Sequence, residues 1–155
     1  MERVPITRQG LDVLKAELER LKKVERPATI KAIEEARSHG DLSENAEYDA
    51  AKDRQQFIET RISELEYKIS NAEVIDPDKL PKDRAVFGSR VRLENVDTGE
   101  DVVYQLVGPD ESDIAEGRIS VASPLGRAIL GKRPDDEITV DAPGGRRIYG
   151  LIAIN

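Results

Sequence analysis

The sequence predicts an α+β protein: an N-terminal antiparallel α-helical coiled-coil hairpin followed by a small α+β domain. Three observations carry this. Apolar residues recur at alternating three- and four-residue steps through the first part. Glycine is nearly confined to the second, with Gly10 and Gly40 alone before residue 79 and the other nine after it. Between them, Asp76-Pro77-Asp78-Lys79-Leu80-Pro81-Lys82 crowds two prolines and four charges into seven residues, which is a linker signal. The expected boundaries are a hairpin over 1–76, a linker over 77–82 and a second domain over 83–155.

Thr7 supplies a capping signal, and Leu11, Leu14, Leu18 and Leu21 then follow the spacing of a coiled-coil seam. Pro27 cannot donate a backbone hydrogen bond, but Ile30, Ile33 and Ala36 resume helical spacing beyond it. A kink or register change is therefore expected, with the helix reaching about Ser38. A second seam, Ala51, Gln55, Ile58, Ile62, Leu65, Ile69 and Ala72, predicts a second helix to about Ala72. In an antiparallel hairpin, partner positions share one sum. Leu14 with Ile69, Leu18 with Leu65, and Leu21 with Ile62 all sum to 83, which centres the turn near residues 41 and 42. Gly40 stands there as the residue able to enter the left-handed region at a helix end. Helices of about 30 residues at ~1.5 Å per residue make an arm roughly 45 Å long, which suits a probe.

The second part reads as short strands over 86–93, 102–107, 119–121, 138–140 and 147–154. They are separated by Asp97-Thr98-Gly99, Gly108-Pro109-Asp110 and Pro143-Gly144-Gly145. Ser123-Pro124, then Leu125, Ala128, Ile129 and Gly131, spell one short helix with Ser at the N-cap, Pro in the first turn and Gly beyond the end.

Composition narrows the function. The 155 residues are 38% hydrophobic and 35% charged, with a net charge of −7, no Cys, no Trp and one His. Without Cys there is no disulfide scaffold, thiolate zinc site or thiolate catalysis. No stretch approaches the ~18 apolar residues of a membrane span, and the N-terminus begins no apolar leader, so a soluble cytoplasmic protein without membrane contact is expected. Acidic residues outnumber basic ones in both parts, which argues against a free-standing nucleic-acid binder but not against acting on nucleic acid held by a partner.

The turn itself, Gly40-Asp41-Leu42-Ser43-Glu44-Asn45-Ala46-Glu47-Tyr48, is the most informative stretch. Asp41 and Glu44 are three apart, so both carboxylates can face one point. Hard cations such as Mg²⁺ accept carboxylate oxygens, although two carboxylates make an incomplete site. The same residues also suit a purely structural role, with Asp41 or Ser43 capping the second helix and Glu44 and Glu47 complementing its dipole.

This turn, the preceding Ile33-Glu34-Glu35-Ala36-Arg37, the run Ile119-Ser120-Val121-Ala122-Ser123-Pro124-Leu125-Gly126-Arg127 with Leu130-Gly131-Lys132, and Pro143-Gly144-Gly145 together resemble the Gre factor family of bacterial transcript cleavage factors. The resemblance covers essentially the whole chain. It implies a monomeric transcription elongation factor whose coiled-coil tip enters the secondary channel of backtracked bacterial RNA polymerase. There it would stimulate the polymerase's intrinsic cleavage of the nascent RNA 3′ end. The factor is then no enzyme itself: Asp41 and Glu44 stand where the family's acidic pair handles Mg²⁺ shared with the polymerase. The resemblance also implies RNA contact by a basic patch, here Arg37 and Lys52, and tip support by Ser43, Asn45 and Tyr48. His39 reads as a solvated loop residue within reach of RNA, and Arg54 and Arg61 as solvated-face charges.

The second domain resembles the family's FK506-binding-protein-like fold. Prolyl isomerisation needs an aromatic-lined apolar pocket, and Phe87, Tyr104 and Tyr149 are too few to line one. The domain is expected instead to dock on the helical rim of the polymerase channel through Ser123, Pro124 and Leu125, a segment that also reads as a plain helix cap. Two other readings compete: a channel-binding inhibitor of the same family that does not promote cleavage, and a coiled-coil adaptor unrelated to transcription. The acidic pair favours the cleavage factor over the inhibitor.

Overall fold

The computed structural model describes residues 3–40 and 45–155. The chain divides into two units: one is built mainly from residues 11–72, and the other from Pro5–Gly10 together with Glu73–Asn155.

The first unit is the helical hairpin. Its first limb is one continuous helix: α1 (Arg8–Arg20), a π-helical turn (Leu21–Glu25) and α2 (Arg26–Arg37). The second limb is α3 (Ala46–Ser70). The π turn is the register change anticipated at Pro27. Pro27 has no N–H and its ring crowds the carbonyl four residues back, so the wider turn, with Arg26 N–H donating to Leu21 O, absorbs one extra residue. That residue shifts the seam: the buried face runs Leu21, Thr29, Ile33 and Ala36, and Ile30, expected inside, is 44% exposed.

Across the hairpin, Leu21, Ile58, Ile62 and Leu65 form the buried cluster, with Leu14 and Leu18 packed against it. These are the residues of the two predicted seams. Burying each such side chain stabilises by ~1.5–3 kcal/mol relative to exposure. Bidentate pairs flank the seam: Arg26 Nη2 to Glu59 Oε1 at 2.8 Å, and Arg61 Nη2 to Glu17 Oε1 at 2.7 Å. Arg61 is thus a cross-helix staple rather than a solvated charge, and the Glu17 carboxylate pushes its guanidinium pKa further up. Arg54 pairs with Glu25 at 3.6 Å and lies 5.2 Å from the Phe57 ring centre. The second helix stops at Ser70, short of the expected Ala72, because Asn71 closes it by donating from Nδ2 to Tyr67 O at 2.8 Å.

Two four-residue strands went unanticipated: β1 (Val4–Thr7) and β2 (Ala72–Ile75) pair in a small sheet. The second unit's main sheet contains β3 (Arg90–Asn95), β4 (Asp101–Val107), β5 (Arg118–Ser120), β6 (Glu137–Ala142) and β7 (Gly145–Ile154) in the order β5-β4-β3-β7-β6. All neighbours are antiparallel except β4 and β5. The first of these strands begins at Arg90, not Val86, because Gly88 turns the chain at φ +87° and Ser89 Oγ accepts from Val86 N–H at 2.9 Å. The helix α4 (Pro124–Ile129) lays Ile129 into a core with Val91, Leu93, Leu106, Ile119, Ile138 and Leu151. The protein is therefore α+β, a helical hairpin joined to a curled-sheet domain, as the sequence predicts.

Candidate functional site: the closed end of the helical hairpin

Alternating hydrophobic spacing makes the two limbs antiparallel, so the connection between α2 and α3 lies at the closed end of the hairpin. α2 unwinds over Ser38, whose hydroxyl donates to Glu35 O at 2.6 Å, and reaches Gly40 at φ +100°, where no Cβ opposes the turn. On the other side Asn45 begins α3. Its backbone is extended, and Oδ1 accepts from Tyr48 N–H at 3.0 Å, while Glu47 and Asp49 add negative charge to the first turn. The Asn45 Nδ2 donates to Ala36 O at 2.6 Å, tying the start of one helix to the end of the other. The N-cap of α3 is thus filled by Asn45.

Asp41, Ser43 and Glu44, the expected catalytic and metal-binding pair with its supporting hydroxyl, lie outside the described residues. By chain order they fall in the connection that Gly40 and Asn45 bracket. As a donor set, two hard oxygen ligands suit Mg²⁺ but leave most of its coordination to other groups. Among the described residues, no cluster of three or more His, Asp or Glu could hold a metal ion.

The flanking side chains do come together. The Arg37 guanidinium sits 5.9 Å from the Tyr48 ring centre, within cation–π range, and remains exposed. His39 Nδ1 lies 3.1 Å from Glu47 Oε2, so the histidine has a carboxylate partner rather than only solvent. Lys52 Nζ donates to Gln55 Oε1 at 3.3 Å on the exposed face of α3. Arg37 and Tyr48 therefore form one unit at the closed end, and Lys52 stands a turn further along α3.

In the second unit, Ser123 caps α4: its Oγ accepts from Gly126 N–H at 3.0 Å and donates to Ser120 O at 2.6 Å. Leu125 is half-buried against the core, and Pro124 is exposed. Of the expected docking triplet, Pro124 alone is free surface. A cavity of about 310 Å³ is lined by Gln9, Arg90, Val103, Gln105, Glu116, Gly117 and Arg118, with no aromatic ring, and does not suit prolyl isomerisation. No helix among the described residues is long and apolar enough to cross a membrane.

Sequence spacing missed the capping role of Asn45, although Asn two residues before Glu47 is a recognisable cap signal. It also missed Glu111, whose carboxylate meets Thr7, because no local pattern links residues 104 positions apart.

Residues 4–74 match the family described as "Transcription elongation factor, N-terminal", and residues 80–155 match "Transcription elongation factor, GreA/GreB, C-term". The chain is 54% identical over 155 residues to Transcription elongation factor GreA of Neisseria meningitidis serogroup B, covering 99% of this chain and 98% of the relative. It is 51% identical to Transcription elongation factor GreA of Thermodesulfovibrio yellowstonii, over 99% and 98% of the two chains. Among solved structures, the GreA factor homolog of Thermus thermophilus is similar at 31% identity over 99% of both chains, with a TM-score of 0.46. On its sequence, matched end to end by both halves of the family, the chain belongs to the GreA/GreB family of transcription elongation factors.

Proposed function

We propose that this protein is a cytoplasmic elongation factor that carries Asp41 and Glu44 through the secondary channel of backtracked RNA polymerase, where they help the polymerase cut the nascent RNA near its 3′ end. The observation that carries this reading is Asn45. By capping α3 and bridging to Ala36 O, it ties together the two helix ends that bracket Asp41 and Glu44. A Mg²⁺ shared between these carboxylates and the polymerase would supply charge neutralisation at the phosphate and a more acidic bound water. The chain's own part is delivery and orientation. The paired helices carry the connection that contains Asp41 and Glu44, the Asn45 bridge holds both helix ends together, and Arg37 beside Tyr48 offers a cation and a ring to RNA. The exposed Pro124 on α4 is the proposed docking point on the polymerase rim.

The test is RNA cleavage by stalled, backtracked polymerase with and without the factor. Wild-type protein should accelerate shortening of the 3′ end, and protein with labelled RNA and Mg²⁺ but no polymerase should cut nothing. Polymerase binding without accelerated cleavage would favour the inhibitor reading.

A further inference from the structure

The start of α1 carries an arrangement that its local sequence does not complete. Thr7 is the N-cap, and its Oγ1 accepts from Gly10 N–H at 3.0 Å. In a capping box the third helical residue is Glu or Gln, and its side chain accepts the N-cap backbone N–H in return. Here that residue is Gly10, which has no side chain. The missing acceptor comes from Glu111: its Oε1 accepts from Thr7 N–H at 3.3 Å and from the Thr7 hydroxyl, and its Oε2 lies 3.4 Å from Gly108 N. Gly10 makes room for it, since a Cβ there would stand 2.9 Å from Glu111 Cγ and nearer still to the carboxylate. Thr7 is only 5% exposed, so its polar groups have little recourse to water. The carboxylate also faces the positive end of the helix. Pro5–Gly10 and Glu111 belong to one unit, while the helix they begin continues from Leu11 into the other.

We propose that Glu111 is a positioning residue. By completing the cap of α1 from 104 residues away, it steadies the first turn of the limb that leads along the chain to Asp41 and Glu44. The cleavage consequence rests on the function proposed above; the clamp does not.

The test has two arms. In the first, native-state hydrogen exchange is followed at the Gly10 amide of the full-length protein, which donates to Thr7 Oγ1. Exchange should be slow in the parent and in Glu111→Gln, which keeps an oxygen acceptor, and at least about fivefold faster in Glu111→Ala. Thermal unfolding gives a sign test: in an ordinary helix Gly→Ala raises stability, whereas here Gly10→Ala should lower the midpoint by displacing Glu111. In the second arm, Glu111→Ala should lower the maximal cleavage rate at saturating factor by about tenfold or more, since ~1 Å of misplacement can cost ~100-fold. The half-saturating concentration should change by less than about twofold, and Glu111→Gln should restore the rate. Parent-like exchange in Glu111→Ala, a raised midpoint in Gly10→Ala, or Glu111→Gln behaving as Glu111→Ala would overturn the clamp. Faster exchange with an unchanged maximal rate would overturn its positioning role. Failure of wild-type protein to stimulate cleavage would overturn the proposed function alone, with the exchange measurements still deciding the clamp.

Discussion

Removing the Asn45 side chain should loosen the closed end of the hairpin without unfolding it. Asn45→Ala deletes two interactions: the cap to Tyr48 N–H at 3.0 Å and the bridge from Nδ2 to Ala36 O at 2.6 Å. A lost N-cap costs ~1 kcal/mol, and a lost hydrogen bond between neutral groups about the same. The sum of about 2 kcal/mol corresponds to a roughly 30-fold rise in local opening. Asn45→Ser separates the two, because its hydroxyl can cap Tyr48 but cannot span to Ala36, so opening should rise only about fivefold. Native-state hydrogen exchange at the Tyr48 amide reads this directly, since local opening falls well below the global unfolding free energy. Stimulated cleavage should decline in the same order: wild type, Asn45→Ser, Asn45→Ala. Unchanged exchange in Asn45→Ala would refute the cap. Exchange in Asn45→Ser as fast as in Asn45→Ala would refute the separate contribution of the bridge.

Gly126→Ala should destabilise the second unit by about 2–3 kcal/mol, because the new Cβ would press on backbone, 2.8 Å from Ser120 C and 3.0 Å from Val121 Cα; wild-type thermal stability would contradict this. The Arg26 hydrogen bond holds the Glu59 carboxyl below its usual range, so its stabilising contribution is full above a pH of about 4.3 and is lost as pH falls through the lowered value. Arg26→Met should flatten that part of the acid dependence of the urea midpoint; parallel acid curves for the two proteins would contradict it. Deleting Leu14–Arg20 together with Ser63–Ile69 removes matched heptads on one side of the π turn and shortens the arm by about 10 Å. The shortened protein should stay helical by circular dichroism and bind polymerase, yet leave cleavage at background; retained cleavage would rule out delivery by insertion.

Most of the hairpin could be read from the sequence because a coiled-coil seam writes its geometry into spacing. Leu18, Leu21, Ile58, Ile62 and Leu65 sit together as their positions require. The misreading of Ile30 traces to the π turn: Pro27 announces a disturbance, but spacing cannot say whether the helix will bend or admit an extra residue. The strands Val4–Thr7 and Ala72–Ile75 escaped because four residues are too few to show alternation, and Pro5 argues against a strand. In the second unit the strands were legible from turn residues, whereas the late start at Arg90 depends on the Ser89 hydroxyl accepting from Val86. At the site, residue type offered Asp41 and Ser43 as caps and did not single out Asn45, whose Oδ1 accepts from Tyr48 N–H. The contact between Thr7 and Glu111 is invisible to any local pattern, since the sequence holds its two halves 104 residues apart.

Whether the protein contributes carboxylates to the reaction is tested by stimulated cleavage with Asp41→Ala and Glu44→Ala across a Mg²⁺ titration, polymerase binding being followed in parallel. Cleavage at low Mg²⁺ should fall to background for each variant and recover in part as Mg²⁺ rises, because two carboxylates would leave most of the ion's coordination to other groups. Binding should stay within about twofold of wild type, because the proposed docking point, Pro124, lies on α4. Wild-type cleavage rates in either variant at every Mg²⁺ concentration would contradict the account.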